Sequence, residues 1–328
     1  AEAAPDRLRL TAGALACLDT ERLVRLTMDL VNVPSQTGGE RPLAVHLRDV
    51  LAQAGLWTTL QDLGPTRANA LGVLEGTGGG TNLMLNGHLD VSLRGTEQGT
   101  AGIGYQAEAR LVEGEWVYGM GAFNMKGALA AYVVAVEAIQ KARIRLRGDV
   151  LIAGVAGEIE KAPVDGFQGE AYQGYGVGTK YLVTHGGLAD MCILGEPTQM
   201  RIVHTHMGTV WARIQIAGQL IHTAWSDRKK NAIEKLPGVI EAIREWIPAY
   251  QRRHAVDGAV PKVNIAAVEG GWPWRASRTP ALCSVFVDVR TPPDLPLLAV
   301  REELRAVMAK VEQRSPGLAW RVDLYVTN

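Results

Sequence analysis

NLMLNGHLDV, residues 82–91, is the stretch on which the fold turns. Its apolar beginning reads as a short strand over residues 82–86. The polar residues after it, His88 and Asp90, stand two apart and therefore on one face of an extended chain. Before it, EGTGGGT (75–81) joins this strand to another at 70–75, with a third at 56–60. A glycine loop between two strands does not open a helix, so it is read as a connection and not as a phosphate cradle. Further back, residues 21–31 and 40–54 carry apolar residues at helical spacing, and the second run stops at Gly55, a natural residue beyond a helix end. Downstream, residues 124–141 are small and apolar on nearly every face, as a helix packed on a sheet must be. Residues 149–155 form a buried strand. Strands and helices alternating in this way make an α/β domain, assigned to residues 1–205.

Beyond Glu196-Pro197-Thr198 the pattern changes. Strands are expected at 209–217, 263–268, 282–289 and 320–326, and helices at 232–250 and 298–311. The order βαββαβ is the ferredoxin-like unit, and residues 206–328 are read as a second domain of this kind.

Composition agrees with two globular domains: 328 residues, of which 47% are hydrophobic and 37 are glycine. With 34 basic and 34 acidic residues there is no net field to gather nucleic acid or an anionic membrane. The longest apolar run, 127–136, is short for a bilayer span and is flanked by Lys126 and Glu137. The N-terminal residues lack the pattern of a signal peptide, so the cytoplasm is the expected compartment. Cys17, Cys192 and Cys283 are too far apart in sequence for a CxxC site, and an odd count suits reduced, mostly buried thiols.

Four stretches place metal-capable or acid–base residues at the ends of predicted elements. In NLMLNGHLDV, Asp90 can orient the His88 imidazole. In YGMGAFNMKGALAA (118–131), Asn124 lies where a helix begins, and the ordinary reading is an N-cap. The glycines at 119 and 121 do not make a dinucleotide fingerprint, because the third glycine position falls on Asn124. In LIAGVAGEIEK (151–161), a buried strand runs into Glu158 and Glu160, where desolvation can prepare a carboxylate for general-base work. In MCILGEPT (191–198), Pro197 fixes the backbone that presents Glu196.

Taken in this order, the stretches resemble the zinc-dependent superfamily of metallohydrolases that contains aminoacylase, acetylornithine deacetylase, succinyl-diaminopimelate desuccinylase and carboxypeptidase G. The resemblance runs from about residue 21 onward. It rests on GHLDV, GMGAFNMKGALAA, GEIE and GEPT, then on HMG (206–208), IHTAWSD with NAI (221–233), VNIAAVEGG (263–271) and CSVFVDVR (283–290). It implies a mixed-sheet, metallopeptidase-like catalytic domain followed by a ferredoxin-like lid and dimerisation domain. It also implies a homodimer that hydrolyses amide bonds in small N-acyl amino acids, dipeptides or related amides. His88 then resembles a zinc ligand oriented by Asp90, Glu158 the general base, and Glu196 a carboxylate ligand. His222 resembles the histidine that stabilises the oxyanion in a partner's site, and Asn264 a substrate contact. His204 and His206 are read as structural. Trp225, Trp272 and Trp274 are candidates to line the path of an aromatic or extended substrate.

Three departures concern metal. Asn124 stands where the family bridges two zinc ions with aspartate, and an amide brings no charge. Ile159 replaces a ligating glutamate, for which Glu160 is the possible substitute. The family's last zinc histidine belongs to a segment beyond residue 328. One ion at His88 and Glu196, assisted by Asn124, is expected, with zinc first and cobalt or manganese as other candidates. The rival reading is a non-catalytic dimerising or ligand-binding relative whose metal centre has decayed.

Overall fold

The computed structural model describes residues 3–97, 99–100, 102, 104–159, 161–162, 164 and 174–327. The chain divides into two units, Ala1–Arg201 and Ile202–Asn328.

The first unit opens on helices α1 (Ala3–Ala16), α2 (Thr20–Val31) and α3 (Arg41–Gln53). Asp19 caps α2 by accepting the Arg22 N–H at 2.8 Å, which satisfies one of the donors a helix start leaves free. Strands β1 (Trp57–Gly64), β2 (Arg67–Leu74) and β3 (Leu83–His88) follow, then a small hairpin of β4 (Arg110–Val112) and β5 (Trp116–Tyr118). Helix α4 (Gly127–Lys141), β6 (Val150–Val155), α5 (Val177–Thr184) and β7 (Met191–Leu194) complete the unit. The sheet order is β1-β2-β6-β3-β7. β1, β2 and β6 pair antiparallel, whereas β6, β3 and β7 run parallel, so the sheet is mixed as expected.

Alternation along β6 explains its unbroken apolar sequence. Val150 and Ile152 pack with Leu26, Leu47 and Leu129 from α2, α3 and α4. Leu151, Ala153 and Val155 join Leu71, Met84 and Leu182 on the other face. A strand covered on both sides has no polar face to show.

Several expectations are refined. The glycine loop serves close chain approach: a Cβ on Gly80 would meet the Gly148 nitrogen at 2.4 Å. Asn124 is not a cap, because α4 begins at Gly127 and Asn124 sits in the preceding π-type turn, Ala122–Lys126, with extended backbone. Of the free cysteines, Cys283 is buried but Cys192 is exposed and Cys17 intermediate, so a mostly buried set is not what the fold gives. With its turn, α4 spans 20 residues and is long and apolar enough to cross a bilayer. Here it is a core helix that buries Leu129, Val133 and Val136.

The second unit contains β8 (Gly208–Ala217), α6 (Ala232–His254), β9 (Val263–Gly270), β10 (Leu282–Thr291), α7 (Leu297–Arg314) and β11 (Trp320–Thr327). The antiparallel order β11-β8-β10-β9 and the chain order βαββαβ are those of a ferredoxin-like unit. In β8, Ala212, Ile214 and Ile216 alternate inward beneath Ile243, Trp246 and Met308 of the two helices. β9 and β11 form the edges.

Candidate metal centre

Because β3, β6 and β7 are parallel, their C-terminal ends open at one edge of the sheet, the usual position for a ligand site in an α/β unit. His88 is the last residue of β3, and Asp90 follows two positions later. Glu158 comes three residues after β6 ends, and Glu196 two after β7. Residues far apart in sequence, at three strand ends, thus become neighbours in space.

His88 is 1% exposed. Its Nδ1 lies 2.9 Å from the Asp90 carbonyl, which can only accept, so Nδ1 carries the hydrogen. Nε2 then faces Asn124 Oδ1 at 2.7 Å, Glu196 Oε1 at 3.6 Å and Glu158 Oε2 at 3.8 Å. The donor atoms of His88, Glu158 and Glu196 all lie within 4.8 Å of one another. Two ligands bound tetrahedrally at zinc stand about 3.4 Å apart, given bonds of roughly 2.0–2.2 Å. The two carboxylate separations fit that spacing, and the Asn124 contact has hydrogen-bond length. Imidazole and carboxylate are donors that suit zinc, and a second carboxylate within reach can serve as ligand or as base.

A convergence of acceptors needs a positive charge among them, either a metal ion or a proton. Burial works against an imidazolium at His88. The Asp90 hydrogen bond and charge, the Glu158 charge and the Asn124 hydrogen bond outweigh it, and the pKa rises to about 9. Asp90 is also buried, which would raise its pKa. The His88 interactions and the N–H groups of Glu158 and Ile159 nevertheless hold it below the usual carboxylate value.

The support of this site is what the sequence did not reveal. The Asp90 carboxylate accepts the Thr37 hydroxyl at 2.9 Å, the Glu158 N–H at 3.0 Å and the Ile159 N–H at 2.9 Å. Ile159 therefore contributes its backbone in a place where its side chain has no ligand to offer. Gly157 turns the chain there with φ +68°, in the left-handed region that favours glycine. Met125 Sδ accepts the His88 N–H at 3.2 Å. The close spacing of β7 and α4 depends on Gly195, where a Cβ would meet the Tyr132 hydroxyl at 2.3 Å. The one visible cue was that Gly157 and Gly195 directly precede the two glutamates.

Glu160 lies outside the described residues. His222 and Asn264 belong to the second unit. His222 is exposed and caps the short 3-10 turn Thr223–Trp225, its Nδ1 accepting the Ala224 N–H at 3.1 Å. A ring that accepts at Nδ1 keeps its hydrogen on Nε2 when neutral, leaving a donor directed away from the turn. Asn264 is exposed on β9, opposite Asp288 of β10. His204 and His206 are exposed and bond to Thr205 and Met207 beside them, so they are not packed structural histidines. Trp225, Trp272 and Trp274 are all exposed, the last two stacked with centroids 5.7 Å apart.

Residues 204–315 match the peptidase dimerisation domain family. The chain is 32% identical over 237 residues to a succinyl-diaminopimelate desuccinylase of Gluconacetobacter diazotrophicus, covering 70% of this chain and 57% of that protein. It is 28% identical over 279 residues to an acetylornithine deacetylase of Proteus mirabilis, covering 83% of this chain and 65% of that protein. The chain thus spans somewhat more than half the length of these relatives. Its fold is similar to that of human carnosine dipeptidase 1, with a TM-score of 0.67 at 16% identity over 97% of this chain and 80% of that one. The resemblance to the deacetylase and desuccinylase superfamily is borne out, and so is the mixed-sheet α/β fold with a dimerisation domain.

Proposed function

We propose that this chain, a relative of the deacetylases and desuccinylases, forms part of a metal-dependent hydrolase that removes acyl groups from small N-acyl amino acids. The observation that carries the reading is the meeting of His88, Glu158 and Glu196, with the Asn124 amide oxygen beside them. A decayed centre would not be expected to keep three convergent donors. His88 and Glu196, assisted by Asn124, would hold the ion, most simply zinc. Such an ion supplies Lewis acidity at an amide carbonyl and acidifies water.

The protein's own groups do the rest. Glu158, half-exposed and 3.8 Å from the His88 nitrogen, accepts a proton from the attacking water and returns it to the leaving nitrogen as the C–N bond breaks. Asp90 holds the His88 ring in one tautomer. As the resemblance implies, His222 would donate from Nε2, in the site of a partner chain, to the charge growing on the carbonyl oxygen, and Asn264 would orient the substrate. The dimerisation domain supports a homodimer. The relatives' substrates, an acylated diamino acid in each case, make N-acetyl and N-succinyl diamino acids the first compounds to assay.

Glu158→Gln tests the assignment. The amide cannot accept the proton, so kcat is expected to fall by about 10²–10⁴-fold while metal content stays unchanged. Unaltered turnover in the variant would remove Glu158 from the reaction. Absence of hydrolysis of N-acyl amino acids by the zinc-loaded protein would favour the non-catalytic reading.

A further inference from the structure

One segment ties together the strand exits that carry His88 and Glu158, although it contains none of the donor atoms. Ser35 Oγ donates to the Leu89 carbonyl at 2.8 Å, and the backbone of residues 35 and 37 bonds to Val91 on both sides. Thr37, on the same segment, donates to the Asp90 carboxylate. Three residues on, Glu40 is fully buried and takes a bidentate ion pair from Arg67 of β2, at 2.8 and 3.0 Å. Arg67 in turn lies directly against Gly157, where a Cβ would meet its Nη2 at 2.0 Å. The segment therefore grips the β3 exit at one end and, through Arg67, backs the β6 exit at the other.

We infer that residues 35–40 and Arg67 act as a positioning clasp that fixes the spacing between His88 and Glu158. The inference rests on the metal-centre reading for its consequence, but not for its geometry. A buried, bidentate Arg–Glu pair is a costly way to gain stability, since apolar residues of similar volume often serve as well. What such residues cannot do is fix two strand exits at a set distance with directional bonds. Outer groups of this kind typically govern metal affinity by about 10–100-fold.

The test compares the wild type with Thr37→Val and with the paired substitution Glu40→Met/Arg67→Met, by zinc calorimetry and by hydrogen exchange in the metal-free protein. The clasp predicts faster exchange of the Glu158 and Ile159 amides, which Asp90 receives, with β6 amides such as Ile152 unchanged. It also predicts zinc affinity weakened by about tenfold or more in both variants, even where melting temperature is preserved. Should the paired variant fail to fold, Thr37→Val decides alone, because it removes one hydroxyl at nearly constant shape. Wild-type exchange at Glu158 and Ile159 with wild-type affinity would overturn the clasp. A wild type that binds no zinc would overturn the proposed function instead, and the exchange data would still decide the clasp.

Discussion

The single atom that most limits the centre is Asn124 Oδ1, an uncharged oxygen 2.7 Å from the His88 nitrogen. Asn124→Asp places a negative charge beside the ion. At an effective dielectric near 20, a unit charge a few ångströms from a dication is worth more than about 1.4 kcal/mol, or about tenfold in affinity. Calorimetry should show zinc binding tightened by at least that factor, and equal affinities would move Asn124 out of the centre. His88 sets the pH dependence. Its folded pKa of about 9 lies above the ordinary value of about 6.5, so its stabilising contribution to the metal-free protein is complete below about 6.5 and is lost as pH climbs through 9. Zinc needs the unprotonated nitrogen and must displace that proton. Affinity is therefore expected to rise about tenfold per pH unit between pH 7 and 8, with one proton released, and a pH-independent affinity would contradict the assignment. His88, Glu158 and Glu196 were legible because each stands at the end of an apolar run. Thr37 was not, since 53 positions separate it from Asp90 and nothing in its own neighbourhood marks it.

Elements were legible in proportion to the burial of their faces. β6, β3 and the helices over them announce themselves through unbroken or periodic apolar runs. The β4–β5 hairpin has three residues in each strand, too few for a pattern, and α5 is a single short helix. The start of α4 was misplaced because Asn124 is a common cap residue, whereas here its side chain is engaged with His88. Lys126 makes this junction unusual. It is fully buried, donates to the Val33 carbonyl at 2.9 Å, and lies at a helix N-terminus, where the dipole disfavours a cation. Burial lowers its pKa to about 7. The folded state thus binds fewer protons than the unfolded chain between pH 7 and about 10.5, and stability from this group improves as pH rises through that window. Lys126→Met should raise the melting temperature more at pH 6 than at pH 10, and an equal gain at both would refute the account of this lysine. Gly157→Ala probes the β6 exit. Its φ of +68° and the 2.0 Å approach to Arg67 leave no place for a methyl group, so stability should fall by about 1–3 kcal/mol in denaturant unfolding. A change below about 0.5 kcal/mol would show that the loop relaxes freely.

At the scale of the molecule, the two units have separate cores, one built on β6 and β3 and the other on β8 and β10. The residues of the second core cluster all come from residues 202–328, so this segment made alone should unfold in one cooperative transition. Its match to a peptidase dimerisation domain leads to the expectation of a dimer in solution, which light scattering at micromolar concentration would check. The order of these elements could be read from the sequence, because βαββαβ is set by alternation within each segment. The metal stoichiometry could not, because it depends on how three strand ends meet. The most direct measurement is therefore the metal content of the purified protein after zinc loading, taken beside His88→Ala. One ion per chain in the wild type and none in the variant is the predicted result. Equal metal in both, or none in either, would contradict a metal centre at His88 and Glu196.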